Sequence, residues 1–385
     1  MKSYNLGALM HFLRKRKFLR PLATDFGHKG RYKSSSLVLG LLIMILLGFG
    51  SVELLGREMK DSYLRQLCDL NNSPDQSTFN RYLKGIDYQK MREQNKLLIK
   101  RIRRLHKINI YALDSSYLEI FGKLYAYFGK VYSCIVKRKI KGYKLISVVD
   151  VFTGMTLAWK FVQCNLHESP YLEELTKYMI DEGMKPDIIL IDKGFYDHKH
   201  FKYMTKKDII YICPMKEYST NLKQVECYSF DENINAEKKV IADLKIKISG
   251  ITKKQRAIII QNGTRKYTLM TNGFGLDQDK VVEYYSMRWN VENFFKVLKD
   301  DWNIRKFPTT DYKGLRFYVE LVLYAYNVHI CYRMHTGKNM GIKQMRKKEF
   351  EIVAPSVIAE PESLRELIGV VKNFFSKKIA NCFDS

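Results

Sequence analysis

Two strand-end aspartates and one glutamate in a basic helical row carry the chemistry this sequence offers. Asp114 closes "INIYALD", which alternates as a β-strand does, and Asp192 closes the continuous apolar run "DIILID". The ends of such strands line up along one edge of an α/β sheet, where sites form. Two carboxylates brought together repel unless a cation lies between them. Magnesium prefers carboxylate oxygens and takes its other ligands from water and phosphate. A third carboxylate lets such a site hold two metals, roughly 3.5–4 Å apart, for in-line phosphoryl displacement. Each aspartate, taken alone, also suits a turn cap, Asp192 before Lys193-Gly194.

The third carboxylate lies in "YYSMRWNVENFFKVLKDDW" (284–302), which reads as one helix. At about 100° per residue, Tyr285, Arg288, Glu292 and Lys299 fall on one face within roughly 60°, and Lys296 joins them one turn after the glutamate. Tyr284, Met287, Val291, Phe294, Phe295 and Leu298 form an apolar stripe beside that face. A salt-bridged surface accounts for the charges through the i,i+4 pairs Arg288–Glu292 and Glu292–Lys296. It does not account for Tyr285 and Trp289 beside the row, nor for the two aspartates before it.

The elements that must position these groups change character along the chain. Residues 1–106 read as helical, with "SVELLGREMKDSYLRQLCDL" at helical spacing and capping types opening "SPDQSTFNRYLKGI". Basic clusters punctuate them, "RKRKFLR" (14–20) and "KRIRRLHK" (100–107), each of which alone suits a solvated face. From 108 onward strands begin: "INIYALD", "YKLISVVDV", "TLAWKFVQ", then a helix in "ESPYLEELTKYMIDEG" ended by Gly183, then "DIILID" and "DIIYICP". That order makes a mixed α/β sheet. Residues 215–276 interrupt it with β-hairpin material and Gly turns. Helices follow at 277–301 and 312–335, and "EPESLRELIGVVKNFFSKKI" suggests a last amphipathic helix.

The chain has 385 residues, 46% hydrophobic and 13% aromatic, enough for two or three folded domains. Its 66 Lys and Arg against 40 Asp and Glu leave a net charge of +26, whose natural partner is a polyanion, nucleic acid foremost. An anionic membrane and plain basic solubility are the lesser readings of the same charge. With that charge, the basic clusters point to an N-terminal DNA-contacting domain. The uncharged stretch 34–52 nears bilayer length, but its strongly apolar part spans only 37–49, which predicts a buried helix. Seven cysteines without a C-x-x-C pair fit reduced thiols in a cytoplasmic compartment.

Tyr285-x2-Arg288-x3-Glu292-x6-Lys299 resembles the Y-R-E-K signature of DDE insertion-sequence transposases of insertion-sequence family 4. "LDSS" at Asp114 resembles that family's first-aspartate motif, "IDKGFYD" at Asp192 its second, and "STFNRYLKGI" the helical segment before its core. A β insertion between the second aspartate and the glutamate is typical of the family, and here 99 residues (193–291) separate Asp192 from Glu292. The resemblance implies a ribonuclease-H-like mixed five-stranded sheet core with a β-strand insertion and a helical N-terminal domain. It implies Asp114, Asp192 and Glu292 as catalytic ligands of two Mg2+ or Mn2+ ions. The activity implied is cleavage at element ends and joining to target DNA, in this branch sometimes through a DNA hairpin. Tyr285, Arg288 and Lys299 then hold phosphates, with Lys296 beside them. Trp289 either packs or stacks on a displaced base, and packing is the expectation.

The domain expectation is a helical DNA-binding domain at 1–106 and the first part of the catalytic core at 107–214. The β-rich insertion at 215–276, the rest of the core at 277–335 and a helical tail at 336–385 complete it. Partners expected are double-stranded DNA, meaning terminal inverted repeats and target, and a second copy of the chain on DNA; no membrane is expected. The location expected is cytoplasmic, with the nucleoid. An inactive or domesticated DNA-binding derivative is the alternative, and a nuclease on the same fold another. His198 and His200 are expected to face solvent, and "GFG" (273–275) to form a turn rather than a phosphate loop. "KRKIK" (137–141) has two readings, a DNA contact or an exposed hairpin tip.

Overall fold

A computed structural model describes residues 7–27, 30–102, 108–121, 125, 127–133, 137–216, 238–248, 250–263, 265–337 and 341–346. The C-terminal amphipathic helix, most of "KRIRRLHK" and residues 217–237 lie outside the described residues. The chain divides into two compact units, one of Met1–Ile102 with Asp300–Ser385, the other Arg103–Lys299.

The first unit opens with α1 (Gly7–Lys15), α2 (Ser34–Leu47), α3 (Val52–Glu58), α4 (Ser62–Leu67), α5 (Gln76–Gly85) and α6 (Tyr88–Ile102). Side-chain caps start several of them. Ser51 Oγ accepts from Leu54 N at 3.1 Å and Asp75 Oδ1 from Thr78 N at 2.7 Å, satisfying donors left over at a helix start. α2 is the uncharged stretch, and it is a buried helix ended by Gly48 at φ +76°. Arg346 covers its open end, with Nε donating to Leu46 O at 2.7 Å and Nη2 to Ile45 O at 2.8 Å. Among the described residues no single helix is long and apolar enough to cross a membrane; α2 and α3 qualify only together, bent by 103°.

Among the described residues the second unit is built on a nine-stranded sheet. Its first strands are β1 (Ile110–Glu119), β2 (Gly129–Ser133), β3 (Arg138–Asp150) and β4 (Thr156–Gln163). Then come α7 (Pro170–Asp181), β5 (Ile188–Ile191), α8 (His198–Lys206) and β6 (Ile210–Pro214). β4, β3, β1, β5 and β6 lie side by side in that order, the first three antiparallel and β1, β5 and β6 parallel. This is the expected five-stranded mixed core. β2 pairs the far end of β3, beyond β4. The described part of the insertion gives β7 (Lys238–Ile246), β8 (Gln255–Asn262) and β9 (Arg265–Thr271). β9 pairs β6, and β8 and β7 follow, so these strands lengthen the same sheet.

The segment 277–301 is not one helix. α9 (Gln278–Ser286) ends and α10 (Trp289–Asp300) begins on either side of Met287 and Arg288. There the amides of Met287, Arg288, Asn290 and Val291 each bond a carbonyl three residues back, a tighter turn than the α-helix. No Pro or Gly marks this break in the sequence.

α11 (Tyr312–Thr336) follows, and it belongs to the first unit rather than to the unit of the sheet. It packs on α6, α5 and α2, and 317–331 is buried on every side, so it serves as the central helix of that bundle. Asn95 Nδ2 on α6 donates to Glu320 O at 2.9 Å and to Glu320 Oε2 at 3.0 Å within this interior. The stretch 277–335, expected to complete the catalytic core, is therefore divided between the units.

Candidate active site

β1 changes partners where its chemistry begins. β5 pairs it through Ile110↔Ile188 to Leu113↔Ile191, so the next register step sets Asp114 beside Asp192. Asp114 does not end a strand as expected. β1 runs on to Glu119, held on one side by β3 alone. The polar continuation is tolerated because that half of the strand is only partly covered. Alternation puts Ser116 on the face of Asp114.

α10 supplies the other groups. Arg288 sits in the turn before it, with Nη1 3.4 Å from Asp114 Oδ2 and Nη2 donating to Glu292 Oε1. The guanidinium thus bridges two of the three carboxylates. Lys299 Nζ donates to Ser116 Oγ at 2.5 Å, and Asn290 Nδ2 to Val151 O at 2.8 Å, so both ends of α10 are tied to the β1–β3–β4 layer. The stripe Val291, Phe294, Phe295 and Leu298 is buried as expected, while Tyr284 and Met287 are only half-buried. Tyr285 lies 5.8 Å, ring centroid to guanidinium, from Arg288.

Burial pushes the Asp114 carboxyl up to about 6; the Ser115 N–H and Arg288 oppose the rise, and Asp192 and Glu292 add to it. Burial also raises the Tyr285 phenol, against the nearby Arg288 cation and with help from Asp192. Burial works against the Arg288 charge, yet Tyr285, Glu292 and Asp192 leave its pKa raised. Asp192, whose carbonyl accepts from the Phe195 amide at 3.0 Å, is therefore within electrostatic reach of all three groups. Buried Cys213 backs it, Sγ 3.7 Å from that carbonyl.

Two of the other expectations change, those for Trp289 and His200. Trp289 is not packed but 61% exposed, because it opens α10 on the side away from the buried stripe. Lys296 is exposed, and the i,i+4 partner that Glu292 takes is Arg288. His200 does not face solvent. It is buried, with Nε2 2.7 Å from Ser169 Oγ and Nδ1 2.8 Å from Glu173 Oε1, joining α8 to α7. His198 is half-buried, and 273–275 is a turn ahead of α9. The described cysteines Cys68, Cys164, Cys213 and Cys331 are free and buried. Ser116 and Asn290 were not singled out by sequence; the alternation of "LDSS" from Asp114 points to Ser116, and nothing in the pattern points to Asn290.

Among the described residues no group of three or more His, Cys, Asp or Glu is gathered closely enough to hold a metal ion. Arg288 provides the positive charge among the carboxylates instead. The donor set still fits a hard divalent cation: carboxylate oxygens without thiolate or imidazole, on groups whose mutual repulsion helps raise Asp114.

A ribonuclease-H-like sheet with acidic groups at the edge of its parallel strands defines a polynucleotidyl-transferase fold. The transposase DDE domain family matches residues 105–328, more than half the chain, and the chain belongs to that family. It is a DNA transposase, a metal-dependent polynucleotidyl transferase and endonuclease. Its fold is similar to that of the piggyBac transposase in a cryo-electron-microscopy structure of its synaptic complex with hairpin DNA. That match has a TM-score of 0.50 and 12% identity and covers 97% of this chain and 85% of that one. Comparison with curated proteins finds no match.

Proposed function

We propose that this transposase is of the insertion-sequence family 4 type and that Asp114, Asp192 and Glu292 are its catalytic carboxylates. The observation that carries the proposal is Arg288, which ties Asp114 to Glu292 beside Asp192, so that residues 174 and 4 positions from Arg288 meet at one point. Asp114, Asp192 and Glu292 would hold the divalent metal the family requires, magnesium or manganese as two ions, once Arg288 is drawn off them. Bound there, the metal would lower the pKa of the attacking hydroxyl and stabilise the leaving oxygen.

The chain's own groups orient the DNA. Arg288, once released from the carboxylates, binds a phosphate oxygen at the cleavage point, and Lys299 holds a second from its place on Ser116. Tyr285 steadies Arg288, and its phenol O–H donates a hydrogen bond to a phosphate oxygen. Lys296, exposed one turn after Glu292, meets the backbone further along. The exposure of Trp289 favours stacking on a displaced base over packing. A displaced base is what a hairpin intermediate produces, and the piggyBac complex contains hairpin DNA. The helical first unit, with exposed basic residues at 14–17, binds element ends, and two copies of the chain bring two ends together.

Purified protein with Mg2+ is expected to nick DNA carrying its own element's ends, and Asp192→Asn to abolish nicking. Undiminished cleavage by that variant defeats the assignment.

A further inference from the structure

The hairpin of β2 and β3 leaves the sheet past the end of β4, and its two faces differ. One face carries Val131 and buried Ile140, paired across the strands, with Arg138 held by Glu119 at 2.5 and 2.9 Å. The other carries Lys130, Tyr132, Lys139 and Lys141, in the cross-strand pairs Lys130↔Lys141 and Tyr132↔Lys139. Lys130, Lys139 and Tyr132 are exposed, as are Phe121 and Tyr127 just before the hairpin. Residues 120–149 contain seven Lys and Arg and no Asp or Glu.

Like charges directly opposite across two strands destabilise a hairpin. The Lys130↔Lys141 pair therefore adds a repulsive term within the hairpin. A partner of high negative charge density reverses the sign of that term. Following register and alternation, the basic row lies on the sheet face of Asp114 and Ser116. The five steps from Asp114 to Glu119 span about 17 Å at 3.4 Å each. A duplex advances about 3.4 Å per base pair, so the row begins roughly five base pairs from the scissile phosphate.

We propose that the β2–β3 hairpin is a DNA-binding arm whose Lys130, Lys139 and Lys141 hold the duplex backbone, independent of sequence, about half a helical turn from the cleavage point. Tyr132 lies between the lysines and contacts the sugar–phosphate chain. This resolves the two readings of "KRKIK" in favour of the DNA contact. That the arm holds duplex rests on the chain being a DNA transposase; only its distance from the cleavage point rests on the assignment of Asp114.

The test uses the full chain, a 20-base-pair duplex of arbitrary sequence and no divalent cation, so that its outcome is separate from that of the cleavage assay. Affinity is measured over a salt series. Lys130→Gln, Lys139→Gln and Lys141→Gln together are expected to flatten the slope of log K against log [salt] by about 2.7, at about 0.9 for each phosphate no longer neutralised. Lys202→Gln, Lys206→Gln and Lys207→Gln, an equal charge change on and just after α8, leave the slope as it was. Arginine at 130, 139 and 141 retains the slope. The thermal midpoint of the hairpin glutamine variant stays level, which separates lost phosphate contacts from lost folding. An unchanged slope in that variant overturns the proposal, and so does an equal loss in the α8 variant or a flattened slope in the arginine variant.

Discussion

The two halves of β1 are one strand under two regimes. Ile110 to Leu113 are buried, with β3 on one side and β5 on the other. From Asp114 to Glu119 the strand keeps only β3, most of its residues are half-exposed, and its side chains turn acidic, hydroxylic and phenolic. The boundary falls where β5 stops at Ile191. Removal of one neighbouring strand is thus enough to convert core into site: the same backbone holds the geometry, while the vacated side admits polar groups and whatever they bind.

Exchanging the chemistry at the boundary should have the largest effect. Asp114→Asn is expected to cut cleavage by about 10³-fold or more, roughly 4 kcal/mol of transition-state stabilisation. The same variant should be more stable, not less. An aspartate raised from 3.8 to about 6 binds more protons folded than unfolded between those values. Stability therefore falls as pH rises through that window and stays lower above it. Asparagine removes the penalty, so by urea titration at pH 8 the metal-free variant should gain up to about 3 kcal/mol, and nothing below about pH 3.5. A loss of stability at pH 8 breaks the contrast between the halves.

One residue earlier the sign reverses. Leu113 is fully buried, and Leu113→Ala should cost about 3 kcal/mol of unfolding free energy. Further out, where the basic hairpin leaves the sheet, Gly142 has φ +152°, and a Cβ there meets the Leu118 carbonyl. Gly142→Ala should cost about 2 kcal/mol and weaken duplex binding with it, read by melting and by the salt series. The smallest effect belongs to the exposed indole beside the site. Trp289→Ala should change stability by less than about 0.5 kcal/mol. Its effect should appear in cleavage of a substrate with an unpaired base; an equal loss on fully paired and unpaired substrates removes the stacking role.

Much of this was legible in the sequence, for physical reasons. Ile188–Ile191 within "DIILID" is apolar throughout because both faces of β5 are covered, so its end and Asp192 could be placed by pattern alone. β1 was truncated at Asp114 because its second half has one partner and lost the apolar alternation that marks a strand. The face shared by Arg288 and Glu292 was found, since i,i+4 geometry survives the turn. The break at Met287 was not, because hydrogen bonding three residues back leaves no compositional mark. His200 was misplaced because its burial depends on Ser169 and Glu173 in another helix. α11 reads as an apolar helix anywhere in the chain, and only packing on α6, α5 and α2 decides which unit it joins.

The break between α9 and α10 has an electrostatic consequence. In an unbroken helix Glu292 lies at the middle, where peptide dipoles cancel along the axis. With α10 opening at Trp289, it lies in the first turn. A helix start carries about half a positive charge, which favours an anion there by roughly 0.3–1 kcal/mol. Two amides at that start, Asn290 and Val291, are spent on carbonyls of the turn before it, so the two-residue interruption gives the acidic site part of such a backbone pole, one that no pH neutralises.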